Sequence, residues 1–359
     1  MQAPYPFIEA FTLLGDFLRQ FPDRSRSNTT ELAGLNSALF DQFSDTVERE
    51  HLFNPWFTPD SVMRAMLGIS KMLDKETLHQ WLGQYSFSPA SPERRKTVGL
   101  VLAGNIPLVG FHDILCVLAT GHRIQAKPSS KDDRLIKAVA GVLSQIDDSF
   151  ENRLEITDGK LSGMDAVIAT GSNNSARYFE YYFRGIPHII RRNRNGVAVL
   201  TGNESGSDLA ALGEDIFTYF GLGCRNVTKL YIPDNYDLKV LLGELDSFHH
   251  LMQHHKYMNN VEYHRSVYLM NKIDFLDNGV LLLKQDHEIA SPVGVVFYER
   301  YSEIGSVLQT LDQRREEIQC TVSLHPGIIN RIRPGKTQEP MPWDYADGVD
   351  TIRFLTELT

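Results

Sequence analysis

The chain has 359 residues, 42% apolar and 23% charged, with a formal net charge of -9. That length admits two domains or one large one with a full core. The acidic balance argues against nucleic acid or an anionic membrane as the main partner. No cationic stretch followed by an apolar core opens the chain, so no secretory signal is expected. The most apolar region, Val98 to Thr120, is interrupted by Asn105, Pro107, His112 and Asp113, which speaks against a membrane span. The three cysteines, Cys116, Cys224 and Cys320, are widely spaced with no Cys-x-x-Cys pair. This usage fits a cytoplasmic protein with neither a disulfide framework nor a zinc site.

Taken in order, the first 95 residues or so read mostly helical. Glu9 to Phe21, Thr29 to Arg49 and Thr58 to Trp81 carry apolar residues at three- and four-residue spacing. Thr58 is placed as an N-cap, with Pro59 at the first helical position. Ser88 to Arg95 is a polar connector. From Lys96 the pattern alternates short apolar runs with amphipathic helices. Strands are expected at Thr97–Ala103, Arg123–Lys127, Ala166–Thr170 and Val197–Leu200. Helices are expected at Val109–Thr120, Asp132–Ile146 and Asn174–Phe183. This order predicts a parallel sheet covered on both faces, which binds ligands where strands end and helices begin.

Those strand ends carry chemistry. The first runs into Gly104-Asn105-Ile106-Pro107, an amide at the sheet rim. The second runs into Lys127-Pro128-Ser129-Ser130-Lys131, with cations and hydroxyls together. The third runs into Thr170-Gly171-Ser172-Asn173-Asn174 at a helix start, where free N–H groups favour anions. Each turn alone is ordinary loop chemistry; three in one sheet suggest a pocket for a phosphorylated nucleotide. Further on, Phe220-Gly-Leu-Gly-Cys224-Arg-Asn-Val227 sets a cysteine in a glycine-framed turn. Gly221 and Gly223 permit backbone angles closed to other residues, and Arg225 would favour the nucleophilic thiolate. The plainer alternative is a buried, inert thiol. Leu276 to Leu283 reads as a hairpin turning at Asp277-Asn278-Gly279. Cys116 and Cys320 read as core residues. His250 and His254 are four apart, the spacing of metal ligands on a helix, but no third ligand follows and no metal is expected.

Val98-Gly-Leu-Val-Leu-Ala-Gly-Asn-Ile-Pro107 followed by Ala126-Lys-Pro-Ser129 resembles the nucleotide-binding half of the aldehyde dehydrogenase superfamily. The likeness is greatest to its acyl-CoA reductase branch, known from the fatty acid reductase that supplies aldehyde to bacterial luciferase. Thr170-Gly-Ser172 is similar to the turn before the nicotinamide-side helix, and Gly223-Cys224 to the nucleophile turn. His287-Glu288-Ile-Ala-Ser-Pro292 is similar to the Glu-Ile-Phe-Gly-Pro segment. The resemblance runs from about Lys96 to the end. It implies an α/β, aldehyde dehydrogenase-like fold: a Rossmann-type nucleotide-binding domain with N-terminal helices (1–195) and an α/β catalytic domain (196–340). A C-terminal strand (341–359), alternating from Asp347 to Leu355, would pair across a dimer. The resemblance also implies Cys224 as nucleophile and Asn105 as oxyanion donor beside the Cys224 N–H, one such donor being worth roughly 3 kcal/mol. Lys127, on the turn with Ser129 and Ser130, would contact the adenosine ribose or its phosphate. Gly171 and Ser172 would face the pyrophosphate, and Glu288 the nicotinamide ribose.

One departure shapes the functional expectation. Where hydrolytic members carry a glutamate base in Glu-Leu-Gly-Gly, this chain reads Ile190-Arg-Arg-Asn-Arg-Asn-Gly-Val197, without a carboxylate. An acyl-enzyme would then escape hydrolysis and be open to reduction. Arg191, Arg192 and Arg194 are candidates for an anionic CoA moiety, or form a solvated loop. Ser130 and Lys131 stand where NAD-preferring relatives have a glutamate, which favours NADPH with NADH as the alternative. The expectation is a cytoplasmic, homo-oligomeric enzyme. It would reduce a long-chain acyl-CoA, or an acyl group from a partner enzyme or carrier protein, to the aldehyde. The proton donor to the departing sulfur would be one of the histidines from His249 to His264, or His325. Competing readings are an idle acyl- or partner-binding subunit, a conventional aldehyde dehydrogenase, and a thiol hydrolase or acyltransferase.

Overall fold

A computed structural model describes residues 7–22, 35 and 37–358. The chain forms two compact units, one of residues 1–192 with 340–359 and one of residues 193–339. In the first unit four helices precede the sheet: α1 (Ile8–Arg19), α2 (Ser37–Phe53), α3 (Pro59–Met72) and α4 (Lys75–Leu82). Positions 29–34 and 36 of the expected second helix lie outside the described residues. Thr58 caps α3 as expected, accepting the Ser61 N–H, with Pro59 in the first turn. The single helix expected from Thr58 to Trp81 is broken at Leu73-Asp74. There Arg19 of α1 pairs with the Asp74 carboxylate at 2.5 Å. Phe11, Leu14, Phe17 and Leu18 of α1 are all but fully buried, a helical stripe that closes the core on this side.

The sheet follows as β1 (Thr97–Val101), α5 (Phe111–Ala119), β2 (Arg123–Lys127), α6 (Asp133–Ile146), β3 (Leu154–Ile156), β4 (Ala166–Thr170), α7 (Asn173–Phe183) and β5 (His188–Arg191). Its order is β3-β2-β1-β4-β5, all parallel. The chain winds outward from β1 through β2 to β3, then returns to lay β4 on the other side of β1. The rim between β1 and β4 is therefore the switch point, where open parallel sheets bind ligands.

The C-terminal strand is not formed. Residues Ala346–Gly348 make a 3-10 turn and α12 (Thr351–Thr356) follows, capped by the Asp350 carboxylate on the Arg353 N–H. Ile352 and Leu355, three apart, are fully buried. The cap and the three-residue burial spacing outweigh the alternation that suggested a strand. The segment is instead bound within the first unit. Trp81 donates to the Tyr345 hydroxyl at 2.8 Å, Tyr85 to Asp350 at 3.0 Å, and Arg191 to Thr351 at 3.1 Å.

The second unit runs β6 (Asn195–Val199), α8 (Gly206–Phe217), β7 (Val227–Pro233), α9 (Leu238–Glu244), α10 (His255–Met270), β8 (Phe275–Asp277), β9 (Leu282–Gln285), β10 (Val295–Tyr301), α11 (Ile304–Gln313) and β11 (Ile318–Ser323). Its sheet order is β11-β6-β7-β10-β9-β8, parallel except for the β8–β9 hairpin. That hairpin turns at Asp277-Asn278-Gly279 as expected, with Gly279 at φ +96°. Among the described residues no helix is long and apolar enough to cross a membrane.

Candidate active site

In the first unit the three expected turns lie at the C-terminal ends of β1, β2 and β4. Asn105 is exposed on the first, Lys127, Ser129 and Ser130 lie on the second, and Gly171 and Ser172 on the third. The first two are in contact. A Cβ on Gly104 would stand 2.6 Å from that of Ser129, so only glycine lets the β1 turn pass there. The turn is also held from below. Buried Asp132 accepts the Leu108 N–H at 2.8 Å, and Leu108 adopts φ +57°. On the third turn the Ser172 hydroxyl accepts the Ser175 N–H at 3.2 Å. It is thus engaged as the cap of α7, and an anion there would meet backbone N–H groups. Lys127 and Ser130 are exposed. An ammonium group, hydroxyls and a helix start at one sheet rim suit a phosphorylated nucleotide.

In the second unit the cysteine turn is more strained than its sequence suggests. Tyr219 (φ 53°), Phe220 (φ 59°) and Gly221 (φ 75°) are successive left-handed residues, whereas Gly223 is not left-handed. Two bulky residues in that region cost about 1–2 kcal/mol each, so something must hold them. Asn226, fully buried, does so. Its amide NH2 donates to the carbonyls of Asp215 (3.0 Å), Ile216 (3.3 Å) and Thr218 (2.8 Å), and its Oδ1 accepts the Gly223 N–H at 2.8 Å. On β6, a Cβ at Gly196 would fall 2.7 Å from the carbonyl oxygens of both Arg225 and Asn226, so glycine is required there too. Cys224 is half-buried on this turn.

Arg225, expected to favour the thiolate, donates through Nε to the Thr337 carbonyl at 2.6 Å. Thr337 is fixed in turn by Asp215, whose Oδ1 accepts both its N–H (2.9 Å) and its hydroxyl (2.8 Å). The other carboxylate oxygen accepts the Gly335 N–H at 2.7 Å. Burial pushes the Asp215 pKa up against these hydrogen bonds. Cys116 and Cys320 are buried as expected, and the Cys320 thiol lies 3.6 Å from the Arg225 carbonyl.

The arginine cluster is divided between a buried and an exposed part, Arg191 lying in the core and Arg192 in a solvated loop. Arg191 is buried against Asp113 at 2.5 Å. Arg192 pairs with Glu180 at 2.5 Å, and Arg194 donates to the Arg315 carbonyl at 3.2 Å. The sequence shows charge but not partners, and these partners are remote in the chain.

His250 lies within a 3-10 segment and His254 is the N-cap of α10, so they do not share an α-helix face. No cluster of three or more His, Cys, Asp or Glu side chains suited to a metal occurs among the described residues. Of the histidines considered as proton donors, His254 has its ring stacked on Phe220 of the cysteine turn, centroids 4.1 Å apart. Its Nδ1 accepts the Tyr257 N–H at 3.1 Å. Glu288 lies on the loop between β9 and β10, 74% exposed, 3.6 Å from the Arg314 guanidinium.

Sequence reasoning missed Asn226, Asp215, Thr337 and Arg314. A cap-forming Asn next to a glycine turn is a detectable signal for the first; the others act through residues distant in sequence.

No protein-family model matches the chain, and no curated protein does. Solved structures do match. An oxidoreductase from Marinobacter aquaeolei superposes with a TM-score of 0.63 at 12% identity, covering 91% of this chain and 75% of that one. Indole-3-acetaldehyde dehydrogenase from P. syringae, bound to NAD+, gives 0.61 at 13% identity over 92% of this chain and 73% of that one. The fold is aldehyde dehydrogenase-like. NADP-dependent glyceraldehyde-3-phosphate dehydrogenase from Bacillus halodurans, bound to NADP, gives 0.58 at 13% identity over 87% and 72%. The expected α/β architecture is thus the observed one.

Proposed function

We propose that this aldehyde dehydrogenase-like protein is an NADPH-dependent reductase of acyl thioesters, with a long-chain acyl-CoA as the donor. The observation that carries this reading is the residue set at 190–197. It contains no carboxylate to activate water, and its arginines are engaged by Asp113, Glu180 and the Arg315 carbonyl. A hydrolytic aldehyde dehydrogenase needs a base in this region; a reductase does not.

In this reading the Cys224 thiolate attacks the thioester carbonyl, and the developing oxyanion is met by the Cys224 N–H on a turn that Asn226 holds fixed. The C–S bond to CoA breaks and CoA leaves as a thiol, taking a proton from solvent or from His254, the histidine packed on the turn. When bound, NADPH would supply the hydride that reduces the acyl carbon. The resulting alkoxide then collapses and expels the Cys224 thiolate, leaving the aldehyde. Lys127, with Ser129 and Ser130, is assigned to the adenosine phosphate, the Gly171-Ser172 turn to the pyrophosphate, and Glu288 to the nicotinamide ribose. Serine at 130 followed by Lys131 tolerates a 2′-phosphate that a carboxylate would repel, which supports NADPH over NADH.

The test is the intact-protein mass after mixing with a long-chain acyl-CoA, with and without NADPH. The expected result is one acyl adduct, absent in Cys224→Ala, that NADPH discharges as aldehyde. An adduct indifferent to both nucleotides would identify a transferase or thiol hydrolase instead. A Cys224→Ala protein with full activity would remove the mechanism.

A further inference from the structure

The loop joining β9 to β10 carries Glu288, and its backbone is held by side chains from elsewhere in the same unit. Lys229 Nζ donates to the Asp286 carbonyl. Arg314 Nη1 donates to the His287 carbonyl at 2.6 Å. Thr228 Oγ1 donates to the Ile289 carbonyl at 2.7 Å. The Glu288 N–H itself donates to Asp286 Oδ1 at 3.1 Å. Carbonyls on both sides of Glu288 are therefore tied to fixed donors, while its own side chain is 74% exposed with Arg314 3.6 Å away. Whatever precision this carboxylate has comes from its backbone.

Two of the donors stand on β7, four and five residues beyond Cys224. Lys229 is fully buried, with Glu299 at 3.0 Å as its counter-charge and the Tyr231 ring at 5.3 Å. A buried ammonium group is costly even when paired, and burial pushes its pKa down although Glu299 opposes this. A strand position facing the core is more cheaply filled by leucine or methionine. Its hydrogen bond to the Asp286 carbonyl gives the lysine a use that an apolar residue lacks.

We propose that Lys229, seconded by Thr228 and Arg314, is a positioning residue that fixes the Glu288 loop in register with the strand leading away from Cys224. It rests on the reading of Glu288 as a nucleotide ligand. The strand that begins at the nucleophile turn then also sets the ribose contact, and displacement of such a contact by about 1 Å is enough to lower the rate by orders of magnitude.

The experiment compares wild type, Lys229→Met and the near-isosteric Thr228→Val in three readouts: Cys224 acylation by acyl-CoA without nucleotide, NADPH affinity by calorimetry, and amide exchange at 286–289. Lys229→Met is expected to weaken NADPH binding about tenfold or more and Thr228→Val about threefold. Both should accelerate exchange at 286–289 and leave acylation within about twofold of wild type. Unchanged exchange and affinity in both variants would overturn the proposal. So would a parallel loss of acylation with exchange raised across the whole second unit, which marks a merely structural role. If Lys229→Met does not fold, Thr228→Val decides alone. If wild type itself binds no nucleotide, the functional reading of Glu288 fails, and exchange at 286–289 still tests the clamp.

Discussion

Two buried aspartates, one in each unit, do similar work under different terms. Asp215 supports the cysteine turn and has both carboxylate oxygens satisfied, by Gly335 and twice by Thr337. Asp132 supports the Asn105 turn with one hydrogen bond, from Leu108, while its Oδ1 is buried with no partner. Burial raises both pKa values, that of Asp132 well above the usual carboxylate range with Glu50 and Asp133 adding to it. A fully bonded carboxylate is a staple. One with an empty oxygen bears an electrostatic cost. The cysteine turn thus rests on a carboxylate bonded at both oxygens, and the Asn105 turn on one bonded at a single oxygen.

The comparison breaks most visibly at Asn226. Replacing it by alanine strips the amide from three carbonyls and one N–H in a buried setting, and is expected to cost about 3 kcal/mol. Denaturant unfolding measures the loss. Below the transition, Cys224 alkylation should also differ from wild type, because Tyr219 and Phe220 no longer have the support that keeps them left-handed. Wild-type stability in that variant would mean the turn holds itself.

Asp215→Asn sharpens the contrast with a smaller effect. The amide NH2 must face either the Gly335 N–H or the Thr337 donors, a donor–donor conflict whichever way it turns. A loss of about 2 kcal/mol is expected.

These supports explain what the sequence could and could not disclose. The alternation of apolar runs with helices from Lys96, the turns at Asn105, Lys127 and Gly171, and the lone Cys224 after Gly221 and Gly223 were all visible because they are local. The short edge strands β3 and β5 carry too few residues to show a period, and α12 reads as a strand until the Asp350 cap and the burial of Ile352 are seen. Thr337, Arg314 and Asp113 act on the site or its surroundings from 112, 27 and 78 residues away in the chain. No spacing rule reaches that far. The strain in the cysteine turn was hidden for a local reason. Gly221 is left-handed as expected and Gly223 is not, while the hold of Asn226 on carbonyls 8 to 11 residues before it puts Tyr219 and Phe220 in that region too.

The smallest predicted effect has the opposite sign to the others. Because the folded-state pKa of Asp132 is raised, the folded protein keeps a proton that the unfolded chain releases near pH 4. Stability from this group is therefore greatest at low pH and declines as pH rises from the unfolded value towards the folded one. Asp132→Asn removes the titration, and the amide oxygen takes the place of Oδ2 as acceptor of the Leu108 N–H. Relative to wild type, the variant should gain stability as the pH rises above about 4, the unfolded value. Thermal melts across that range check it, and a constant difference between the two proteins would show that Asp132 stays ionised in the fold and that its unpartnered oxygen is satisfied after all. A gain confined to high pH would instead establish that the Asn105 turn rests on a carboxyl held neutral, whereas the cysteine turn rests on hydrogen bonds that reach both oxygens of its own aspartate.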